Sequence, residues 1–560
     1  MASNPDPDAQ RNPPSLGFKA QRTVLRLLCS GEEYRKLHES VIQSLPRSIQ
    51  DRAYSPATFN NIIKSRDKYT TAALRSSLRL FWITRLGMKL LDFIKSRIIA
   101  RAGASRYVQG KRSRVIYKIY LIFFSASASS NVPFRNSPAF RLPLSLSLML
   151  LFHRLLHRFF SRLRANLRTD NAQPFRERNP RISKALTSKY APAIGASLAG
   201  FFLALYPQAQ LRLTVAIYAS TRSLEVLYNA LLENGWLSFR PWWFGSWLLM
   251  PLSMAQLFHA FVFDREATPS WFGNVILRFT PGYIKRRPSG LPGTVAWPEP
   301  FETVDALAKV AELKWPPFTS PILHPSVTDT LPAAVQTISP ITSPAHPAIA
   351  SLSCALLHPK SPSCLTAFIH QVLLSIPPLV RSVAKVYLAL SVLKFKSFVT
   401  SPVTSINEVS KKILSATAII SSSIGAAWGS ICLFNAILPR KLLPTQRFYL
   451  SGAISGLPFA VLCGSGYRAH FLYLFRQAVE SAWKTGVKRG LWRGYKGGDL
   501  WVLVASWALL GVLLERNPAN ITDQGFRKAL TWMRGDGYND LAERRAKKSR
   551  RDSAEQARSS

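Results

Sequence analysis

GASLAGFFLALYP (195–207) and GAISGLPFAVLC (452–463) are apolar runs punctuated by glycine, and each precedes a second stretch with a shared pattern. The pattern holds two aromatic residues, a glutamate and a glycine at identical spacing: Tyr218, Glu225, Tyr228 and Gly235, then Tyr473, Glu480, Trp483 and Gly490. A repeated unit of helix, turn and helix accounts for both copies. The sequence therefore predicts an internal duplication.

The apolar residues are concentrated in blocks, although their overall share of 47% is ordinary for a soluble protein. Four blocks contain no Asp, Glu, Lys or Arg: 190–211, 241–263, 413–439 and 448–467. Each is long enough to cross about 30 Å of hydrocarbon as a helix. A fifth run, 500–514, is shorter, and 142–153 is a weaker candidate. The sequence therefore predicts an all-α, polytopic helical membrane protein.

The chain is strongly basic, with 73 Lys and Arg against 29 Asp and Glu and a formal charge of +44. Many of the basic residues flank the apolar runs, as in 153–168, 484–498 and 543–551. Basic residues beside spanning helices are typical of contacts with anionic lipid head groups. We therefore expect membrane lipids as partners and no nucleic acid.

Six glycines are candidates for close helix packing: Gly195, Gly200, Gly425, Gly429, Gly452 and Gly456. The last four form two GxxxG pairs, GAAWG and GAISG, in consecutive predicted spans. Small residues four apart let two helix backbones approach closely. The packing partner is either another helix of this chain, a second copy or another membrane protein.

Two pairs of charged residues lie within the repeated pattern. Arg222 precedes Glu225 by three residues, and Arg476 precedes Glu480 by four. Each pair shares one helix face. Because an isolated charge in the membrane interior costs a few kcal/mol, these residues need a partner or a polar cavity. Three interpretations remain open: buried structural pairs, glutamates that line a polar path near a pseudo-twofold axis, or helices that lie in the membrane interface.

The segment CALLHPKSPSC, together with the next histidine, brings together Cys354, His358, Cys364 and His370. Thiolate and imidazole are the ligands that zinc prefers, so these residues are a candidate metal site. Their spacing matches no common zinc module, and a local turn is the alternative. We find no phosphate-binding loop, nucleophile elbow or zinc-protease motif. We therefore expect no enzyme, no catalytic residue and no resident cofactor.

Several blocks, taken in order, resemble the transmembrane protein 135 family over roughly residues 180–535. They are APAIGASLAGFFLALYP (191–207), IYASTRSLEVLYNALLENGW (217–236), RPWWFGSW (240–247), SPAHPAI (343–349), CALLHPKSPSC (354–364), IGAAWGSICLFN (424–435) and VKRGLWRGYKGGDLW (487–501). The resemblance implies a peroxisomal membrane protein, with a mitochondrial membrane as the alternative. It also implies a role in lipid metabolism or transport or in organelle dynamics, without catalytic residues.

The family is distantly similar to peroxisomal membrane protein 4 and to subunits of the mitochondrial inner-membrane translocase, which implies two related four-helix repeats. The resulting layout has seven regions: a polar N-terminal region at 1–70, a basic amphipathic region at 71–137, a first membrane repeat at 138–263, a Pro/Ser-rich connecting loop with the Cys/His segment at 264–365, a broken or interfacial apolar segment at 366–398, a second membrane repeat at 413–515 and a basic tail at 516–560. A membrane-anchored scaffold or adaptor and a channel for small solutes or proteins are the alternative functions.

Overall fold

A computed structural model describes residues 24–44, 46, 50, 53–63, 69–105, 137–237, 239, 241, 243–292, 296–322, 331–392, 399–462 and 466–559. Within these ranges the regular elements are helices, apart from an isolated bridge between Pro317 and Ser351. The all-α fold class predicted from the sequence is confirmed. Of the predicted N-terminal regions 1–70 and 71–137, the parts at 1–23 and 106–136 lie outside the described residues.

The helices are numbered in chain order. The first group is α1 (Gly31–Ser40), α2 (Pro56–Ile63), α3 (Tyr69–Ser105), α4 (Pro138–Asn166), α5 (Gln173–Arg178), α6 (Pro180–Thr187), α7 (Ala191–Ser197) and α8 (Ala209–Glu233). The second group is α9 (Leu249–Phe263), α10 (Ser270–Arg278), α11 (Pro300–Glu312), α12 (Ser339–Thr342), α13 (Leu352–Leu357), α14 (Cys364–Val392), α15 (Pro402–Ile437), α16 (Arg447–Gly456) and α17 (Arg468–Lys488). The third group is α18 (Gly498–Arg516), α19 (Gln524–Arg534) and α20 (Leu541–Ser559).

The chain folds into two compact units that are not contiguous in sequence. The first unit contains the residues up to Ser238 together with those from Tyr495 onward, and the second contains Phe239–Gly494. The first unit therefore joins the first and third groups of helices, and the second unit is the second group. These boundaries differ from the predicted repeats, because α9 falls in the second unit and α18 in the first.

In the first unit, α4 packs against α7 and its 3₁₀ continuation, Leu198–Leu205. That broken helix packs against α18, and α18 packs along α8. Two small clusters of buried side chains fill these contacts: Met149, Leu203, Ala216, Ala219 and Leu503, and Val226, Ala230, Leu510, Leu513, Leu514 and Ile521. Van der Waals contact within these clusters holds the helices together, because lipid around the helices is as apolar as the side chains.

In the second unit, α15 packs against α16 and its 3₁₀ continuation, Leu457–Leu462. The broken helix packs against α9, and α9 packs along α17. Phe258 is the centre of these contacts, since its ring lies 5.4 Å from that of Trp428 and 6.0 Å from that of Phe448. The helices of the second unit therefore contact one another in the order α15, α16, α9, α17. The first unit has the matching order α4, α7, α18, α8, so α9 takes the place of α18.

Among the described residues, five helical segments are long and apolar enough to span a membrane: Pro138–Asn166, Ser246–Phe263, Cys364–Ser391, Pro402–Ile437 and Gly498–Arg516. The helices at Ala191–Leu205 and Arg447–Leu462 are apolar but shorter. The apolar block 190–211 is therefore not one spanning helix. Its helix ends at Leu205 because Pro207 disfavours helical geometry at Tyr206, whose ψ is 120°.

The apolar segment at 366–398, predicted to be broken or interfacial, contains most of the continuous helix α14. Pro377 and Pro378 lie inside this helix. A proline removes one backbone donor, and a helix at the surface of a membrane protein can accommodate that loss where neighbouring groups satisfy the freed carbonyls. The prolines therefore do not interrupt a segment of spanning length.

The region predicted as a connecting loop, 264–365, contains α10 to α13 and contributes much of the second unit's core. Val304, Leu307 and Val310 are fully buried on one side of α11, and Trp315 follows them with only 2% exposure. The spacing of three residues places the valines and leucine on one helix face. The high proline content thus shortens the helices of this region without preventing a packed structure.

Candidate metal centre

Four side chains with metal-binding atoms meet in the second unit: Cys354, His358, Cys364 and Cys432. Cys354 lies on the short helix α13, and His358 is the residue that ends it. Cys364 is the first residue of α14, and Cys432 lies near the end of α15. Three elements that are separated along the chain therefore supply the cluster.

The four ligand atoms all lie within 4.8 Å of one another. The sulfurs of Cys354 and Cys364 are 4.0 Å apart, and the Cys432 sulfur lies 3.5 Å from Nε2 of His358. His358 and Cys432 are buried, whereas Cys354 and Cys364 are partly buried. The sulfurs are too far apart for a disulfide, which requires about 2.05 Å.

The His358 ring is fixed by a hydrogen bond outside the cluster. Its Nδ1 lies 2.8 Å from the carbonyl oxygen of Ser361, which can only accept, so Nδ1 carries the hydrogen. Nε2 is left facing the sulfurs. Burial lowers the pKa of His358, but hydrogen bonds to Cys354 and Cys364 outweigh it and raise that pKa to about 10.

The sequence located three of these residues and missed the fourth. His370 lies on α14 six residues after Cys364, which is about 240° around a helix, and its side chain is exposed. It is therefore not part of the cluster, and Cys432 takes the fourth position. One signal was present: Gly425, Gly429 and Cys432 lie on one face of α15, at steps of four and three residues.

Tyr283 lies beside the cluster on the segment that follows α10. Its hydroxyl is buried and has no hydrogen-bond partner among the described residues. It would be 3.0 Å from a Cβ placed on Gly429. Burial, followed by the neighbouring thiols of Cys432, Cys364 and Cys354, raises the pKa of Tyr283 well above its ordinary value. The hydroxyl therefore stays protonated and is available as a donor.

A network of polar side chains continues from the cluster to the end of α15. Asn435 donates to the hydroxyl of Ser353 at 2.7 Å and accepts from Arg447 at 2.6 Å. Arg447 is fully buried and also donates to the carbonyl oxygens of Leu438, Pro439 and Leu442. The guanidinium thus ties together the connection between α15 and α16, beginning at Leu438, the residue that caps α15.

The six candidate packing glycines lie at contacts between elements of their own unit. A Cβ on Gly425 would meet Phe368 and Val372 of α14, and one on Gly429 would also meet Phe368. Gly452 and Gly456 of α16 face the backbone of α9, near Ala255 and Pro251. Gly195 faces Phe160 of α4, and Gly200 faces Val504 of α18.

The charged residues of the repeated pattern lie in different units. Glu225 is buried in the first unit, and its carboxylate accepts from Arg222 at 2.6 Å. Arg222 also contacts Asp523 at 3.1 Å. In the second unit, Glu480 pairs with Lys484 at 2.9 Å, and Arg476 is partly buried on the same helix. The polar path between the glutamates stays a prediction.

The helices and their apolar surfaces define the chain as a polytopic helical membrane protein. No family model, curated protein or solved structure matches the chain.

Proposed function

We propose that the chain is a non-enzymatic membrane protein of peroxisomes, of the kind represented by the transmembrane protein 135 family, that acts in lipid metabolism or transport or in organelle dynamics. The supporting observation is the surface of α14. Only 11% of the most apolar 18-residue stretch of α14 is buried inside the structure, against 61% of the corresponding stretch of α15. Such a surface needs hydrocarbon around it, because water would make its exposure very costly.

Helix α3 supports contact with a lipid surface. Trp82, Ile83 and Leu86 are each more than 60% exposed, and Leu90 and Phe93 extend this apolar face. Basic residues lie among them, including Arg85, whose guanidinium is 5.6 Å from the Trp82 ring. An amphipathic helix with aromatic and basic residues lies in the membrane interface, where it attracts anionic head groups.

Localisation is tested by imaging the tagged full chain beside peroxisomal and mitochondrial markers, followed by alkaline carbonate extraction. We expect the chain to stay in the membrane pellet and to coincide with the peroxisomal marker. Cells that cannot form peroxisomes provide the control, since the signal should lose its punctate pattern there. A signal that follows the mitochondrial marker in both cell types favours the mitochondrial alternative.

The role in lipid handling is tested in cells that lack the chain, by measuring fatty-acid composition and peroxisome number. Wild-type chain should restore both, and Glu225→Gln and Glu480→Gln should restore them less well if the glutamates line a polar path. Glu225→Leu and Glu480→Leu are the matched tests of structural pairs. Full rescue by both leucine variants rules out the polar path and, with it, the channel function.

A scaffold or adaptor is the second candidate, and α20 is the feature that favours it. This helix is strongly basic and exposed along most of its described side chains. Truncation before position 548 removes its exposed end and keeps the pair of Arg527 with Asp540 and that of Arg545 with Glu515, the second of which joins α20 to α18. An adaptor should lose its activity in this variant, whereas a transporter should keep it.

A further inference from the structure

We propose that Cys354, His358, Cys364 and Cys432 bind one Zn²⁺ ion, which fastens the segment between α9 and α14 to the apolar helices α14 and α15. This site differs from the one that the local sequence suggested, because its fourth ligand comes from a distant helix. The argument rests on the distances within the cluster, on its chemistry and on the elements that it joins.

The distances fit a single ion at the centre of the four atoms. Zinc lies about 2.3 Å from sulfur and about 2.0 Å from nitrogen, so a tetrahedral site separates two sulfurs by about 3.8 Å and a sulfur from a nitrogen by about 3.5 Å. The separation of Cys354 and Cys364 is 4.0 Å, and that of Cys432 and His358 is 3.5 Å. The ligand atoms farthest apart lie within 4.8 Å of each other, so they must approach by about 1 Å, or about half an ångström per side chain, for a mononuclear site.

The ligand set favours zinc over magnesium and calcium. Three thiolates and one imidazole are soft or borderline ligands, which magnesium and calcium avoid. Nδ1 of His358 donates to the Ser361 carbonyl at 2.8 Å, which orients Nε2 toward the thiols, as in many zinc sites. Zinc binds the cysteines as thiolates and the histidine as neutral imidazole, so binding releases protons to solvent.

The position of the cluster gives the ion a structural task. Cys364 begins α14, Cys432 lies five residues before the end of α15, and Cys354 and His358 belong to the packed segment between α9 and α14. Four protein ligands complete the coordination, so the ion has no open position for a substrate. Zinc would therefore hold the segment in place.

The test measures metal in the purified full chain, kept in detergent with a thiol reductant and isolated without metal resin. We expect about one zinc per chain, and at least a fivefold loss in Cys432→Ser and in Cys354→Ser. His370→Asn is the matched control, since His370 lies on α14 outside the cluster, and it should keep its zinc. Cys29→Ser provides the same control for a thiol of the first unit.

Because the serine variants can fail to fold, the wild-type chain is also tested with Co²⁺ after removal of its metal. A tetrahedral thiolate site gives strong visible absorption and sulfur-to-cobalt charge transfer, and these should saturate at about one equivalent. The chelated chain should also become more reactive to alkylation at Cys354 and Cys364, and zinc should reverse this change.

Three results would overturn the proposal. The first is wild-type chain that folds, contains no zinc after growth with zinc and gives only the weak spectrum of octahedral cobalt. The second is a Cys354–Cys364 disulfide in place of metal under reducing conditions. The third is an equal loss of zinc in His370→Asn and Cys432→Ser. None of these outcomes bears on peroxisomal localisation, so this inference and the proposed function fail separately.

Discussion

The two units share an order of helix contacts and both contain ion pairs, but the second unit also holds a cluster of thiols and an imidazole. In the first unit, Arg212 of α8 pairs with Asp499 of α18 at 2.8 Å, and Arg222 of α8 pairs with Asp523, which precedes α19, at 3.1 Å. In the second unit, Arg489 pairs with the buried Asp264 at 2.6 Å, and the thiol and imidazole cluster joins α13, α14 and α15. Helix packing therefore sets the framework of each unit, and polar contacts join the remaining segments to it.

The largest expected effect is at Arg447, which forms no ion pair with any residue that the structure describes and is held by carbonyl and amide oxygens. Replacement by Met leaves several buried acceptors without donors, and we expect a loss of about 3 kcal/mol or more in the free energy of unfolding. Thermal unfolding in detergent measures this loss.

Arg440→Met is the control for that substitution, because Arg440 lies on the same connection between α15 and α16 and is exposed. It should unfold within about 0.5 kcal/mol of wild type. Equal stability of Arg447→Met and Arg440→Met would show that the network around Asn435 contributes little to the second unit.

The next-largest effect is expected at Gly456, compared with Gly200, since each lies in one of the two glycine-punctuated runs at 452–463 and 195–207. A Cβ on Gly456 would meet the backbone of α9 at Met250 and Pro251, whereas a Cβ on Gly200 would meet the Val504 side chain at 3.0 Å. Because a side chain can move more easily than backbone, Gly456→Ala should cost about 3 kcal/mol and Gly200→Ala about 1 kcal/mol. Their melting temperatures test this order.

Gly87→Ala controls for the conformational effect of alanine. Gly87 lies on α3, and a Cβ there would meet nothing within 4 Å. This substitution should stabilise the helix by up to about 1 kcal/mol. If Gly200→Ala proves more costly than Gly456→Ala, the backbone contact between α16 and α9 is not the tighter of the two.

A smaller effect is expected at the ion pair between Arg212 and Asp499. Both side chains are less than one-fifth exposed, so their coupling in a double-mutant cycle with Arg212→Gln and Asp499→Asn should be about 1 kcal/mol. The exposed pair of Lys547 and Glu543 in α20 serves as the comparison, and its coupling should be smaller because solvent screens the charges. Equal couplings for the two pairs would show that the ion pair of Arg212 and Asp499 does not stabilise the contact between α8 and α18.

The smallest effect concerns Glu33 of α1. A hydrogen bond from Arg79 lowers the pKa of Glu33 from 4.5 to about 2, against the opposing effect of burial. Since the folded pKa is the lower one, the stabilisation is complete above pH 4.5 and is lost as the pH falls toward 2. The pair is partly exposed, which limits the effect to less than about 1 kcal/mol.

Hydrogen exchange of α1, corrected for intrinsic rates, should therefore increase between pH 6 and pH 3 more in wild type than in Glu33→Gln. An equal increase in exchange in both proteins would show that the titration of Glu33 does not determine how firmly α1 is attached.

The candidate metal site shows how far local sequence reasoning extends. Cys354, His358 and Cys364 lie within eleven residues, so their spacing alone brought them to attention. Cys432 lies 68 residues beyond Cys364 on another helix, and no local spacing connects it to them. The sequence prediction includes His370 in its place because it does not establish that a helix begins at Cys364, and this helix turns His370 about 240° away.

The sequence by itself determined the helical class and the positions of the apolar segments, because apolar length and the absence of charge are local properties. It did not determine every spanning length, since the blocks 190–211 and 448–467 contain shorter helices and Cys364–Ser391 is long enough to span a membrane. It also marked the glycines at which helices meet. The tertiary structure decided which helices meet there. It placed α9 with α16 and α17, α18 with α7 and α8, and Cys432 with His358, because packing selects partners by shape and contact across hundreds of residues rather than by proximity in sequence.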